Sequence, residues 1–423
     1  MIALGAWWDI RSLANPVNAL LGVLRDALPD WVAYVVAGLI GAAGLGLYLG
    51  VVMLLLIWVE RRVVGRIQIR VGPNRVGPQG LLQPVADALK LMQKEALTPR
   101  VGDKLVFWLA PALLFIPTLL TLGVLPFGDR MSVADLNVGV LFIVAVGSAM
   151  PLVVFMAGWS SNNKYSLLGA MRTIAIVISY ELPVVVSLLS VVILAGTMSV
   201  GGIVAWQQQH WTWTILVLPL PFAIYLIGSL VEVGRSPADI NEAESEIVAG
   251  YHTEYSGMRF GLFYAVELAN ALILGGLVAT FFFGGWWTYG LDLVIPSWLL
   301  FQAKMALGYW LFIWARGTLP RLRIDQLLRF SWQFLLPLGL ANAVLVAFEV
   351  ALWAQLDAPG LILIPFAVVN WALAGALVVG FIRLIGQKEA QTPRRRQDML
   401  TDRVGIVHRV TGPIGPGFGS AGD

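Results

Sequence analysis

Residues 231–260 read VEVGRSPADINEAESEIVAGYHTEYSGMRF and lie between two apolar segments, 212–231 and 261–284. The stretch carries six acids, Glu232, Asp239, Glu242, Glu244, Glu246 and Glu254, against two formal positive charges, Arg235 and Arg259. The chain around it is oily: 58% of its 423 residues are hydrophobic and 13% are charged, where soluble domains average about 25% charged. The mean hydropathy is +0.79. An acidic island between segments of this kind reads as an extramembrane loop of an all-α polytopic membrane protein, because helices satisfy their own backbone in lipid.

Working outward from the loop, hydropathy predicts nine spanning helices: 33–59, 105–126, 138–158, 173–195, 212–231, 261–284, 298–315, 333–354 and 361–384. Each has roughly the 17–25 apolar residues that a bilayer core requires. Orientation follows from the basic residues. With the N-terminus outside, 24 Lys and Arg fall in inside segments, whereas the outside ones hold only Arg11, Arg25 and Arg130, with Lys304 just within an outer helix end. That asymmetry predicts an N-out, C-in chain with a cytoplasmic acidic loop. Trp7, Trp8, Trp206, Trp211, Trp213, Trp286, Trp287 and Trp298 then lie at or near outer helix ends, where an aromatic belt is expected. The organisation expected is a periplasmic or interfacial segment 1–32, a transmembrane domain 33–384 with cytoplasmic loops 60–104 and 232–260, and a basic cytoplasmic tail 385–423. Residues 1–30 lack a basic n-region and are not expected to act as a cleaved signal.

The chain has no Cys and three scattered histidines, His210, His252 and His408. It offers no thiolates for an iron–sulfur cluster and no paired axial ligands for haem. There is no G-x-G-x-x-G or Walker A run, and the basic residues form no single patch for nucleic acid. No metal site is expected.

The first inside loop opens with ERRVVGRIQIRVGPNRVGPQG, Glu60 to Gly80, where Gly-Pro pairs predict stiff turns. In Leu81 to Glu95, Leu82, Val85, Leu89 and Met92 recur at helical spacing, with Asp87, Lys90 and Lys94 elsewhere on the wheel. This predicts an amphipathic helix lying at the membrane surface. Glu181, in ISYELPVVV, falls about 13 Å into the fourth span by helical rise. Pro183 two residues on cannot donate its backbone bond, so a kink and a wet pocket are expected there. Glu267 and Asn270 are one turn apart and face the same way. Intramembrane acids default to functional candidates; Lys304 and Glu349, in outer helix halves, are expected to snorkel. On any helix formed by NEAESEIVAG, Glu242 and Glu246 share a face and Glu244 points elsewhere. Together with Glu181 and Glu267, these acids suggest a continuous hydrophilic path of the kind that relays protons.

Four stretches carry a family resemblance. ERRVVGRIQIRVGPNRVGPQGLLQPVADALKLMQKE and EVGRSPADINEAESEIVAGYHTEYSGMRFGLFYAVELAN are long and specific, and SNNKYSLLGAMRTIAIVISYELP and RGTLPRLRIDQLLRFSWQFLLPL join them. Together they span Glu60 to Leu338, and they resemble the H-subunit family of respiratory complex I, the NADH:quinone oxidoreductase. The resemblance implies a membrane component at the junction of the redox and proton-pumping arms. It implies a quinone tunnel whose entrance involves the first span, Leu81 to Glu95 and the sixth span. Glu60 and Arg61 match a charged pair near that tunnel, and Asp87 on the amphipathic helix is a further candidate there. Glu181, Glu232, Glu242, Glu244, Glu246 and Glu267 match glutamates assigned to the family's proton path. Quinone, ubiquinone or menaquinone, is the implied substrate; NADH, FMN and iron–sulfur clusters belong to partner subunits. Implied partners are the hydrophilic quinone-site subunits, small and antiporter-like membrane subunits, and the lipids of a cell inner membrane. Two other readings stand beside this one. A homologous component of an F420H2-, ferredoxin- or hydrogenase-linked complex differs mainly in its neighbours. An independent secondary transporter predicts internal repeats with broken helices, and no convincing repeat is present.

Overall fold

A computed structural model describes residues 29–129, 131–235, 237–239, 248–356, 363–377, 379, 380 and 383, with 22 and 24. Glu242, Glu244 and Glu246, the tryptophans Trp7 and Trp8, and the basic tail lie outside the described residues. The chain divides into two units, Met1–Ala367 and Val368–Asp423. In the second, the described residues 368–377 are helical.

The described residues are helical, without strands. Helix α1, Asp30–Ile67, has Asp30 in its first turn and Arg66 in its last, both favourable to the helix dipole. At about 1.5 Å per residue it is about 57 Å long, far more than a hydrocarbon core of about 30 Å. The expected loop therefore starts late: Glu60–Ile67 is helix. Hydropathy falls at Glu60-Arg61-Arg62, but these are good helix formers. The turn that follows is as stiff as expected. Gly80 has φ +78°, and a Cβ there would sit 2.3 Å from the Pro73 carbonyl oxygen.

The amphipathic helix α2 is Gln83–Gln93. Next come α3, Lys104–Val124, and α4, Gly139–Ser160, which is interrupted at Ser148. Asp103 caps α3 by accepting from the Leu105 and Val106 amides at 3.2 and 3.5 Å. Helix α5, Lys164–Ala195, is capped by Asn163 and ends at left-handed Gly196. It starts nine residues before the predicted span and runs unbroken through Pro183. A short helix α6, Val200–Gln209, was not foreseen.

The predicted span 212–231 is instead a four-residue turn, Thr214–Val217, a break at Leu218, and α7, Pro219–Glu232. The break has a local cause, since residues preceding proline avoid helical geometry. Fourteen residues in α7 rise only about 21 Å. Helices α8, Gly257–Phe282, and α9, Ser297–Thr318, follow. Then come α10, Ile324–Phe330, a π turn Ser331–Leu335, α11, Leu336–Leu356, and α12, Leu363–Leu377.

Among the described residues, six helices are long and apolar enough to cross a membrane: α1, α3, α4, α5, α8, and Ile324–Gln355, which joins α10 to α11. The helices α7 and α12 are apolar but shorter. The chain is a multi-pass membrane protein. Helix α8 is its hub and α1 its least enclosed member, with 72% and 17% of their most apolar windows buried. Helix α8 packs on α9, α3, α2, α1 and α6, so whatever α8 carries is held from all sides.

Candidate functional site

Helix α8 enters from the acidic loop and brings Glu267 and Asn270 onto one face, as their spacing predicts. Both line a cavity of about 80 Å³ together with Gly147, Met150, Val154, Thr173 and Glu232. A second cavity of about 60 Å³ is lined by Glu181, Thr121, Tyr225, Glu232 and Asn270. Glu232, Asn270, Gly147 and Met150 line both. Since roughly 10–15 Å³ holds a water, each has room for several. Glu267 and Glu181 thus line two neighbouring cavities, with Glu232 and Asn270 in the wall common to both. Thr118 Oγ1 donates to Asn270 Oδ1 at 3.2 Å, and Asn270 Nδ2 lies 3.1 Å from Met150 Sδ.

Glu181 accepts from Ser148 Oγ, the residue at the interruption of α4. Pro183 does not interrupt α5. Proline lacks the N–H that would bond the carbonyl of Ser179, and Ser331 Oγ on the π turn donates to that carbonyl instead. Trp332 Nε1 adds a bond to Ser179 Oγ at 3.0 Å. The proline thus serves docking of α5 onto the α10–α11 junction.

Glu267 also belongs to a buried charge cluster. Glu60, 4% exposed, accepts from Arg235 Nη1, from Arg316 Nη1, and from Tyr309 Oη at 3.0 Å. Arg235 Nε lies 2.9 Å from Glu267 Oε1, an ion pair whose angle does not make a hydrogen bond. Burial opposes the Arg235 charge, but the carboxylates of Glu267 and Glu60 overcome it and hold the guanidinium's pKa above its ordinary value. Four segments therefore meet in one knot: α1, the acidic loop, α8 and α9.

The two residues of the Glu60–Arg61 pair part company. Glu60 points into this cluster, while Arg61 is exposed and pairs with Asp87 of α2 at 2.6 Å. Gln83 Nε2 donates to the other Asp87 oxygen at 3.2 Å. Helix α2 lies against α1 and α8, leaving Leu82, Val85, Leu89 and Met92 exposed. Its apolar stripe faces away from the rest of the chain, as an interfacial helix requires.

Of the other loop acids, Glu254 accepts from Asn163 Nδ2 at 2.7 Å and so ties the loop to the start of α5. His252 is buried beside it, and burial lowers its pKa to about 4. Sequence reasoning missed Arg235, Arg316 and Tyr309 as site residues. The arginines registered only as positive-inside charge, because no local spacing links positions 60, 235, 267, 309 and 316. Trp206, Trp286 and Trp287 are buried, and Trp211, Trp213 and Trp287 pack around Tyr289 with ring centroids 6.4, 4.9 and 4.8 Å away.

Residues 40–347 match the family model described as NADH dehydrogenase. A curated protein from Dehalococcoides mccartyi, the H subunit of an NADH-quinone oxidoreductase, is 52% identical over 316 residues, covering 75% of this chain and 88% of that protein. Proteins of the same name from Carboxydothermus hydrogenoformans and Phocaeicola vulgatus are 47% and 42% identical, covering 75% and 81% of this chain and 90% and 98% of their own lengths.

Proposed function

This chain belongs to the H-subunit family of NADH-quinone oxidoreductase, the membrane components of respiratory complex I, and on that premise we propose that its buried glutamates couple quinone reduction to proton movement. The observation that carries the reading is the shared lining of the two cavities. Glu232 and Asn270 belong to both, which supports a single water-filled passage from Glu267 to Glu181. The Glu60–Arg235–Glu267–Arg316 cluster closes the end nearest the acidic loop. A change of charge beside that cluster shifts the balance among its members, and the passage gives the displaced proton a route toward Glu181. Glu242, Glu244 and Glu246 join the path on the family resemblance.

The substrate is a quinone, ubiquinone or menaquinone, delivered along α1, α2 and α8. Support comes from the apolar stripe of α2 and from the Arg61–Asp87 pair that pins α2 to the end of α1. NADH oxidation, FMN and the iron–sulfur clusters belong to partner subunits. The relatives' shared name favours NADH over F420H2, ferredoxin or hydrogen as the donor. The partners are the hydrophilic quinone-site subunits and the small and antiporter-like membrane subunits. The chain has nine spans in a cell inner membrane, with the acidic loop and C-terminus cytoplasmic.

The test is Glu181→Gln in the assembled complex in proteoliposomes. Proton pumping is expected to fall at least about tenfold, as for loss of one relay member. Full pumping with all subunits present would remove Glu181 from the path.

A further inference from the structure

Beyond the second cavity, helix α8 changes character. Every residue from Ala271 to Phe282 is buried, and the last that lines the cavity is Leu277. From there to Phe283 the helix rises about 9 Å through Val278, Ala279, Phe281 and Phe282. The four final carbonyls of a helix have no partner within it, and a water-filled end would solvate them. Here the protein takes that role for two of the four, Ala279 and Thr280, and for the carbonyls of the loop that follows. Gln207 is fully buried, and its Nε2 donates to the Thr280 carbonyl at 3.0 Å. The Ala279 carbonyl accepts from the Phe283 and Gly285 amides at 3.1 and 2.8 Å. Lys304 of α9 donates to the carbonyls of Phe283, Gly285 and Trp287 at 2.7, 2.9 and 2.6 Å.

The sequence suggested that Lys304 snorkels; instead its ammonium turns inward and is enclosed by one loop. Asp292 of that loop interacts with it electrostatically, and the Trp213 ring centroid is 5.4 Å away. The register is fixed by a close helix crossing. A Cβ on Gly275 would fall 2.9 Å from the Tyr309 amide, and one on Gly308 2.7 Å from Gly275 Cα. Lys304, one turn from Gly308, is thereby set against the end of α8.

We propose that Lys304 is the positioning residue of a dry plug, latching the end of α8 shut so that protons in the Glu181–Glu232 cavity cannot leak past it. The inference rests on the proton-path reading above, and its test separates the two. Whole complex carrying Lys304→Met is reconstituted into proteoliposomes without substrate, and the decay of an imposed pH gradient is followed. Decay at least about fivefold faster than wild type is expected, with quinone reductase activity in detergent within about twofold. Lys304→Gln, which keeps an amide donor for the carbonyls, is expected to leak less than Lys304→Met, and its leak decides the question if the methionine variant does not assemble. Adding Glu181→Gln to the leaky variant separates the readings: a persisting leak keeps the plug and removes Glu181 from the route. An assembled variant as tight as wild type, even one with a lower melting temperature, would overturn the plug and leave the proton path standing.

Discussion

At the scale of single residues, Arg235 carries the largest consequence. It is 4% exposed and pairs with both Glu60 and Glu267. Removing one partner of a buried ion pair typically costs about 3–5 kcal/mol, because the remaining charge is left buried. Arg235→Met is therefore expected to abolish stable assembly, read as the yield of intact complex on a native gel. Arg316, 36% exposed at its side chain, leaves Glu60 still paired with Arg235 when removed, so Arg316→Met is expected to cost about 1 kcal/mol and to assemble. Equal loss in both variants would contradict the cluster. Glu181 and Glu267 were legible as candidates because an acid in an oily run announces its own cost. Their partners were not legible, because the pairings join residues far apart in the chain.

His252 gives a pH dependence at the same scale. Burial lowers its folded pKa to about 4 from 6.5, so protons bind more readily when the loop is open. The stabilisation is complete above pH 6.5 and is lost as pH falls through the window down to about 4. At pH 5 the 1.5-unit gap corresponds to about 2 kcal/mol. Hydrogen-exchange protection of residues 248–256, corrected for intrinsic rates, is expected to drop roughly tenfold or more between pH 7 and 5. His252→Gln is expected to remove that pH dependence. An unchanged protection factor in the native protein would show that the ring is not held neutral by burial.

Among the elements, hydropathy located helices at the nine stretches but misjudged their ends. It lost Glu60–Ile67 because charge masks helix propensity. It merged Thr214–Val217 with Pro219–Glu232, although Pro219 and Pro221 marked the break. It missed α6, whose ten residues are too short to register as a span. The role of Pro183 was the subtlest miss. The sequence shows which carbonyl the proline orphans, but not that Ser331, 152 positions away, supplies the bond. Ser331→Ala leaves the Ser179 carbonyl buried and unsatisfied, at a cost of about 1–3 kcal/mol. The measurement is the thermal inactivation midpoint of the complex, which is expected to fall by a few degrees. Asp87→Asn removes only the exposed Arg61 pair and is expected to change the midpoint little, since such pairs contribute about 0–1 kcal/mol. A larger loss from Asp87→Asn than from Ser331→Ala would reverse the ranking of these two contacts.

For the whole molecule, the decisive property is which side of the bilayer holds the charge cluster, and the chain makes a direct answer possible because it contains no cysteine. The positive-inside rule counts basic residues in short loops and near span ends. By that count the loops holding Arg100 and the acidic island face the cytoplasm, and the α3–α4 loop holding Asn137 faces outward. Both Arg100 and Asn137 are exposed, so Arg100→Cys and Asn137→Cys each introduce one accessible thiol into this chain. With a membrane-impermeant maleimide, labelling of this chain at position 100 is expected only in inside-out vesicles, and at position 137 only in right-side-out ones. The reverse pattern would place Glu60, Arg235 and the acidic loop on the outer face. Quinone reduction by cytoplasmic partners could then not act on the cluster directly. The expected pattern instead sets the cluster beside the hydrophilic arm and the Lys304 latch at the outer surface, so that the charge cluster controls the cytoplasmic end of the passage and the latch seals the far one. That polarity is what a pump needs at rest, because protons taken up from one side must not return by the same helix.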